Sequence, residues 1–180
     1  MPSFLLIRHA QSVWNAAGRW QGQADPPLSE RGREQALELA RKLAGEIAPD
    51  RLLCSDLQRA RHTAEALGRA LEIEPEPLPA LRELDVGTWS GLTRDEIEAV
   101  DPENLARFEA GDETVRAGGA ESRAEIRARV LATFHALAAQ HPGEDLVVVT
   151  HLGVARALVP GTELGHTETL RVVRQDFRDT

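Results

Sequence analysis

Hydrophobic positions along the chain fall into short unbroken runs separated by longer stretches of helical period. Phe4-Leu5-Leu6-Ile7, Leu52-Leu53-Cys54 and Leu146-Val147-Val148-Val149 have the length of strands. The unbroken apolar character of the first and third predicts strands covered on both faces, since side chains alternate sides and every position must then be buried. In Leu170-Arg171-Val172-Val173 a charge interrupts the run, which predicts a strand nearer an edge. Between these runs the clearest helix extends from Ser29, its N-cap, to about Leu43, with Ala36, Ala40, Leu43 and Ile47 on one side. Ser55 with Gln58, Thr93 with Glu96 and Ser122 with Glu125 match capping boxes and predict further helix starts, and Asp101-Pro102 predicts a short one. The last long helix carries Ile126, Val130, Phe134 and Leu137 as its stripe and stops at His141-Pro142-Gly143, where a strand follows at once. Alternating strands and helices predict a three-layer α/β/α sandwich with a mainly parallel central sheet. In such a fold, sites form beyond the carboxyl ends of the strands.

No repeat, low-complexity tract or Pro/Gly/Ser linker divides the sequence, and 180 residues with 42% hydrophobic content suffice for one core. The expectation is one domain over residues 1–180. Cys54, the only cysteine, cannot form an intrachain disulfide and is expected as a small core residue. The run Phe4 to Ile7 is far too short for export or membrane spanning, so the chain is expected in the cytoplasm. A formal net charge of −8 repels polyanions, which argues against nucleic acid and anionic membranes as partners.

Candidate chemistry gathers at the strand ends. Arg8-His9-Ala10 directly follows the first apolar run and Thr150-His151-Leu152-Gly153 directly follows another. Ser55-Asp56-Leu57-Gln58-Arg59 ends a third and brings Arg59 into about the first turn of a helix, while Arg61 is expected to be solvated. Helix N-termini and guanidinium forks both bind phosphate oxygens, so two arginines, two histidines and helix starts suggest a phosphoryl pocket. An uncharged imidazole attacks a phosphate dianion without charge repulsion if cations clamp the equatorial oxygens, and His9 suits that role. A hydrogen bond from its other ring N–H to a backbone carbonyl would fix the required tautomer. The leaving alkoxide needs a proton, for which Glu83 and Asp85 are equal candidates by spacing alone.

These residues carry a resemblance. Arg8-His9-Ala10-Gln11-Ser12, Trp14-Asn15, Gly18-Arg19, Gln21-Gly22, Asp25, Pro27-Leu28-Ser29 and Gly32 resemble the N-terminal signature of the histidine phosphatase superfamily, in its phosphoglycerate mutase-like branch. Ser55-Asp56-Leu57-Gln58-Arg59-Ala60 with Thr63-Ala64 is similar to its second block, Arg82-Glu83-Leu84-Asp85 with Gly87, Trp89 and Gly91 to its third, and Thr150-His151 to its last. The resemblance implies a phosphoglycerate mutase-like fold, no metal or other cofactor, and phosphorylation of His9. It implies phosphoryl contacts from Arg8, Arg59 and His151, and it decides for Glu83 as proton donor and later base for water. It further implies a phosphate contact from Asn15 and a substrate-side lining that includes Gln21 and Gly22. Ala10 and Leu152 depart from the family pattern, glycine being usual at both places. A left-handed Leu152 would cost about 1 kcal/mol or more and reshape the loop and the phosphate-binding side of the pocket.

The form Leu84-Asp85-Val86-Gly87-Thr88-Trp89-Ser90-Gly91 resembles phosphatases more than cofactor-dependent mutases, which usually carry longer insertions here. The short stretch after Val173 leaves little chain to close over the site, which favours water as acceptor. The resemblance therefore implies hydrolysis of small phosphorylated metabolites, as in α-ribazole phosphatases and broad-specificity phosphatases, with mutase-type phosphoryl transfer as the alternative. A silent phospho-ligand-binding module needs neither nucleophile nor acid, and a metal site built from His9, His151, Glu83 and Asp85 sits poorly beside arginines. Trp14, Trp20 and Trp89 are expected as core or loop anchors more than as a substrate wall.

Overall fold

The computed structural model describes residues 2–173 together with Gln175 and Asp176. In chain order the elements are β1 (Ser3–Arg8), α1 (Val13–Ala16), α2 (Glu30–Leu43), β2 (Arg51–Cys54), α3 (Gln58–Leu71), β3 (Glu76–Pro77), α4 (Arg94–Val100), α5 (Pro102–Glu109), α6 (Arg123–Gln140), β4 (Asp145–Thr150), α7 (Leu152–Leu158) and β5 (Thr169–Val173). The strands form one sheet in the order β3-β2-β4-β1-β5, parallel except for β5, which runs antiparallel to β1. The three-layer, mainly parallel arrangement expected from the sequence is therefore the observed one.

Alternation along the central strands sorts the core into two layers. Leu5, Ile7, Leu52, Cys54, Val147 and Val149 meet α2 and α3 through Leu39, Leu43, Ala60, Ala64 and Leu67. Phe4, Leu6, Leu53, Leu146 and Val148 face the opposite way, toward α4–α7, where Phe134 packs edge-on against Phe4 at 5.1 Å. Every position of these runs is thus covered on its own side, the physical reason the runs read as unbroken. Cys54 is buried among apolar neighbours, which push its thiol up to about 12. Among the described residues no helix is long and apolar enough to cross a membrane.

The capping boxes at Thr93 and Ser122 form as expected, and Pro102 occupies the first turn of α5. The box at Ser55 does not. The N-cap of α3 is Leu57, which makes no side-chain cap bond; Ser55 Oγ accepts from the Leu57 amide instead, and the Gln58 amide donates to Asp25 Oδ1 at 2.6 Å. Ile47 lies beyond the end of α2, though it still packs on the same layer. Leu152 does not adopt a left-handed backbone, because it opens α7, with His151 as the extended N-cap. Of the stretch after Val173, Arg174 and residues 177–180 lie outside the described residues, as does the expectation about closure built on them.

Candidate active site

Parallel pairing of β1 with β4 sets Arg8 opposite Thr150, and the His9 amide donates to the Thr150 carbonyl at 2.9 Å. The next residue on each strand is a histidine, so the imidazoles of His9 and His151 meet with ring centroids 5.0 Å apart, both buried. His9 Nδ1 lies 2.7 Å from the carbonyl of Ala10. A carbonyl only accepts, so Nδ1 carries the hydrogen and Nε2 keeps its lone pair, the tautomer the sequence argument required. Burial, then the charge of Arg59, hold His9 well below the usual histidine range, with Arg8 and His166 acting in the same direction. The ring is neutral at pH 7.

Arg59, the second residue of α3, is fully buried. It donates through its two terminal nitrogens to the carbonyls of Ala24 at 2.8 Å and Gly22 at 2.7 Å. Gly22 supplies that carbonyl from a left-handed backbone (φ 51°), and a methyl group there would come within 2.7 Å of the Val86 amide nitrogen. Arg8 donates to the Leu164 carbonyl at 2.7 Å. After these bonds Arg8 Nε, Arg59 Nε, both ring nitrogens of His151 and His166 Nε2 remain buried without partners. Burial lowers Arg8 and brings Arg59 down to about 10, and it also holds His151 well below its usual range. Buried polar nitrogens without partners are rare in native proteins, and such a group, most of it on arginine and histidine side chains at the strand ends, is a mould for an anion.

A cavity of about 410 Å³ is lined by Glu83 and by Leu152 and Gly153, the two residues that follow His151 in the chain. The carboxylate of Glu83 accepts from its neighbour's amide, Leu84 N, at 2.8 Å and from Gly153 N in the first turn of α7 at 3.2 Å. A methyl group at Gly153 would overlap Glu83 Oε1, so this glycine holds the carboxylate close to the histidines, a role the sequence reading did not assign it. Asp85 is diverted: its Oδ1 accepts from Gly87 N at 3.0 Å and closes the loop turn. Arg129 secures the same loop from behind, bonding the carbonyls of Ala80 and Arg82 and pairing with Glu121. Geometry thus separates two carboxylates that spacing leaves equal.

The remaining sequence candidates divide. Asn15 gives its carboxamide oxygen to the Ser12 amide in the capping box of α1, so a ligand can meet only its NH2 group. Gln21 accepts from Ser12 Oγ at 2.5 Å, and Leu152 lines the cavity. Trp20 also faces the cavity, whereas Trp89 is buried with its indole N–H on Asp101, and the Trp14 ring lies against Gly91. Arg61 is solvated and pairs with Glu65.

One group was missed. The His166 ring lies 5.9 Å from that of His9. It precedes β5, and looking beyond carboxyl strand ends overlooks it because β5 is antiparallel: its amino end reaches the end of β1 where Thr169 pairs with Ile7.

Residues 4–176 match the family model described as histidine phosphatase superfamily, branch 1. The chain belongs to this superfamily. It is 36% identical over 156 residues to the metal-independent phosphoserine phosphatase of Arabidopsis thaliana, covering 86% of this chain and 66% of that protein. The chain thus spans just under two thirds of the plant protein's length. A mycobacterial glucosyl-3-phosphoglycerate phosphatase solved with VO3 superposes with a TM-score of 0.83 and 32% identity over 94% of this chain and 91% of that one. The structure of a putative α-ribazole-5′-P phosphatase from Escherichia coli K-12 gives 0.83 at 26% identity, over 97% and 92%.

Proposed function

We propose that this histidine phosphatase hydrolyses small phosphate monoesters through a phosphohistidine on His9, as one catalytic domain spanning residues 1–180. The observation that carries the reading is the neutral His9, its Nδ1 hydrogen spent on Ala10, with the His151 ring 5.0 Å away and unpaired buried nitrogens on Arg8, Arg59 and His151. Nε2 attacks phosphorus and the ester P–O bond breaks, while Arg8, Arg59 and His151 hold the equatorial oxygens. Glu83 gives its proton to the leaving alkoxide. The resulting carboxylate then takes a proton from water, whose oxygen attacks phosphorus; the P–N bond breaks, and inorganic phosphate leaves with His9 restored.

Asn15 adds its NH2 group to the phosphoryl oxygens, and Gln21, Gly22 and Leu152 shape the substrate side. The names of the relatives make phosphoserine and glucosyl-3-phosphoglycerate substrates to try first. A cytoplasmic location, expected from the sequence, belongs to the same proposal.

The test is phosphate release from phosphoserine, glucosyl-3-phosphoglycerate, aryl phosphate, 3-phosphoglycerate, sugar phosphates and nucleoside monophosphates in the presence of chelator. Release that survives chelation, vanishes in His9→Ala and slows by roughly 10²–10⁴-fold in Glu83→Gln is the expected result. Near-wild-type Glu83→Gln would remove Glu83 from its role. Interconversion of phosphoglycerates with added bisphosphoglycerate and no release would assign the chain to the mutases.

A further inference from the structure

The wall of the cavity away from the histidines contains a cation in an unfavourable setting. Arg123 is the first residue of α6, where the helix end already carries partial positive charge and an acidic side chain would be preferred. Among the described residues no carboxylate pairs with it, and its guanidinium instead lies 4.2 Å above the Phe108 ring. Glu113 shares the cavity lining and its charge is felt, but it forms no ion pair with Arg123. Partial burial and the like charge of Arg156 both act against Arg123. Arg127, one turn further along α6, lines the same cavity and donates to the Ala157 carbonyl at 2.8 Å. A segment that violates the helix dipole and like-charge rules at once, facing a cavity, marks a place where a ligand supplies the missing interaction.

Arg156 lines the same cavity, and its charge acts on Arg8 as well as on Arg123. It is itself paired with the exposed Glu163. Trp20, Phe108, Leu152 and Ile126 give the cavity an apolar surface. The cavity therefore brings together Glu83 and the residues that directly follow His151, namely Leu152 and Gly153, with an apolar surface and a cluster of cations, in a molecule whose overall charge is −8.

We propose that Arg123, assisted by Arg127 and Arg156, forms an anion subsite, so that the preferred substrates are phosphate monoesters whose alcohol carries a second anionic group beyond an apolar or ring-shaped body. This rests on the phosphatase reading above and specifies its substrate class. Arg123 stacked on Phe108 is oriented before the ligand arrives, which lowers the ordering cost of the contact.

The probes are benzyl phosphates bearing a carboxylate or a phosphonate at the 3 or 4 position, with the neutral carboxamides for comparison; the methylene insulates the leaving group from ring electronics. Relative to wild type, Arg123→Ala lowers kcat/KM on an anionic ester at least tenfold more than on its carboxamide, mainly through KM, the scale of one charged hydrogen bond. Arg123→Lys retains part of the preference, which guards against a folding defect. Carboxylate and phosphonate arms rank the two anion chemistries. Equal losses on anionic and neutral esters, or a wild-type enzyme with no preference among them, would overturn the subsite. Calorimetric binding of the same esters to His9→Ala, with and without Arg123→Ala, reads the subsite without turnover, so its failure is separable from failure of the phosphatase reading.

Discussion

The imidazole of His166 reaches the site from a turn whose next residue, Thr167, is held at φ 60°, a region that disfavours a β-branched side chain by about 1–2 kcal/mol. Two backbone bonds maintain it there: the Thr167 amide donates to the Arg8 carbonyl at 2.9 Å, and the Arg8 amide donates to the Glu168 carbonyl at 3.1 Å. Burial and the charge of Arg8 bring His166 down to about 4, so above pH 5 it is a neutral ring with Nε2 free for a phosphoryl oxygen. His166→Ala is expected to weaken binding of vanadate or inorganic phosphate about tenfold, the loss of one hydrogen bond to a charged group. Unchanged binding would leave the ring a spacer. Titration of the variant with vanadate measures it. At this scale Arg8, His9, Arg59 and His151 were legible because each follows an apolar run or opens a helix. His166 and Gly153 were not, since one depends on an antiparallel strand and the other on a contact 70 residues away in sequence.

Helix α3 shows how an element is placed for the benefit of a single side chain. Its first free amide is capped from 33 residues earlier by Asp25, whose backbone carbonyl and Oδ2 also accept from the Gln58 side chain. The loop that delivers Asp25 delivers the carbonyls of Gly22 and Ala24 to Arg59 as well. Asp25→Ala should cost about 1 kcal/mol of stability, the usual worth of an N-cap. It should also reduce kcat/KM, since the loop no longer registers on α3; denaturant melts and steady-state assays test the two together. Loss of stability with intact kinetics would show that the Arg59 contacts suffice to hold the loop. The capping boxes at Thr93 and Ser122 were readable because both partners lie within one turn. Ser55 with Gln58 has the same spacing, yet the helix begins two residues later than that box would start it, because a carboxylate from a distant loop binds the end more strongly than a neighbouring hydroxyl.

For the whole molecule, two fully buried neutral histidines at the centre make acid the natural denaturant. His9 and His151 are both depressed below 6.5 in the folded state, so between their native values and 6.5 the unfolded chain binds more protons than the native one. Stability is then fully present above about pH 6.5 and falls as the pH is lowered, by up to about 1.4 kcal/mol per pH unit for each ring. Urea midpoints measured from pH 7.5 to 5 should decline accordingly, and a flat profile would mean that the rings are already solvated. The layered architecture and the mainly parallel sheet were legible at this scale from the alternation of strands with helices and the unbroken runs, but the strand order was not. The two-residue β3 was likewise unreadable, for its Glu76-Pro77 carries neither apolar alternation nor length.

The pairing of β1 with β4 has a consequence for how the protein is made. Side chains change faces at every residue of a strand, so a slip of one position between these two ladders would point one histidine away from the other while leaving nearly as much apolar surface covered, the runs being apolar on both sides. Such a molecule would be folded by optical criteria and dead as a catalyst. Specific activity would detect such a slip, and circular dichroism would not.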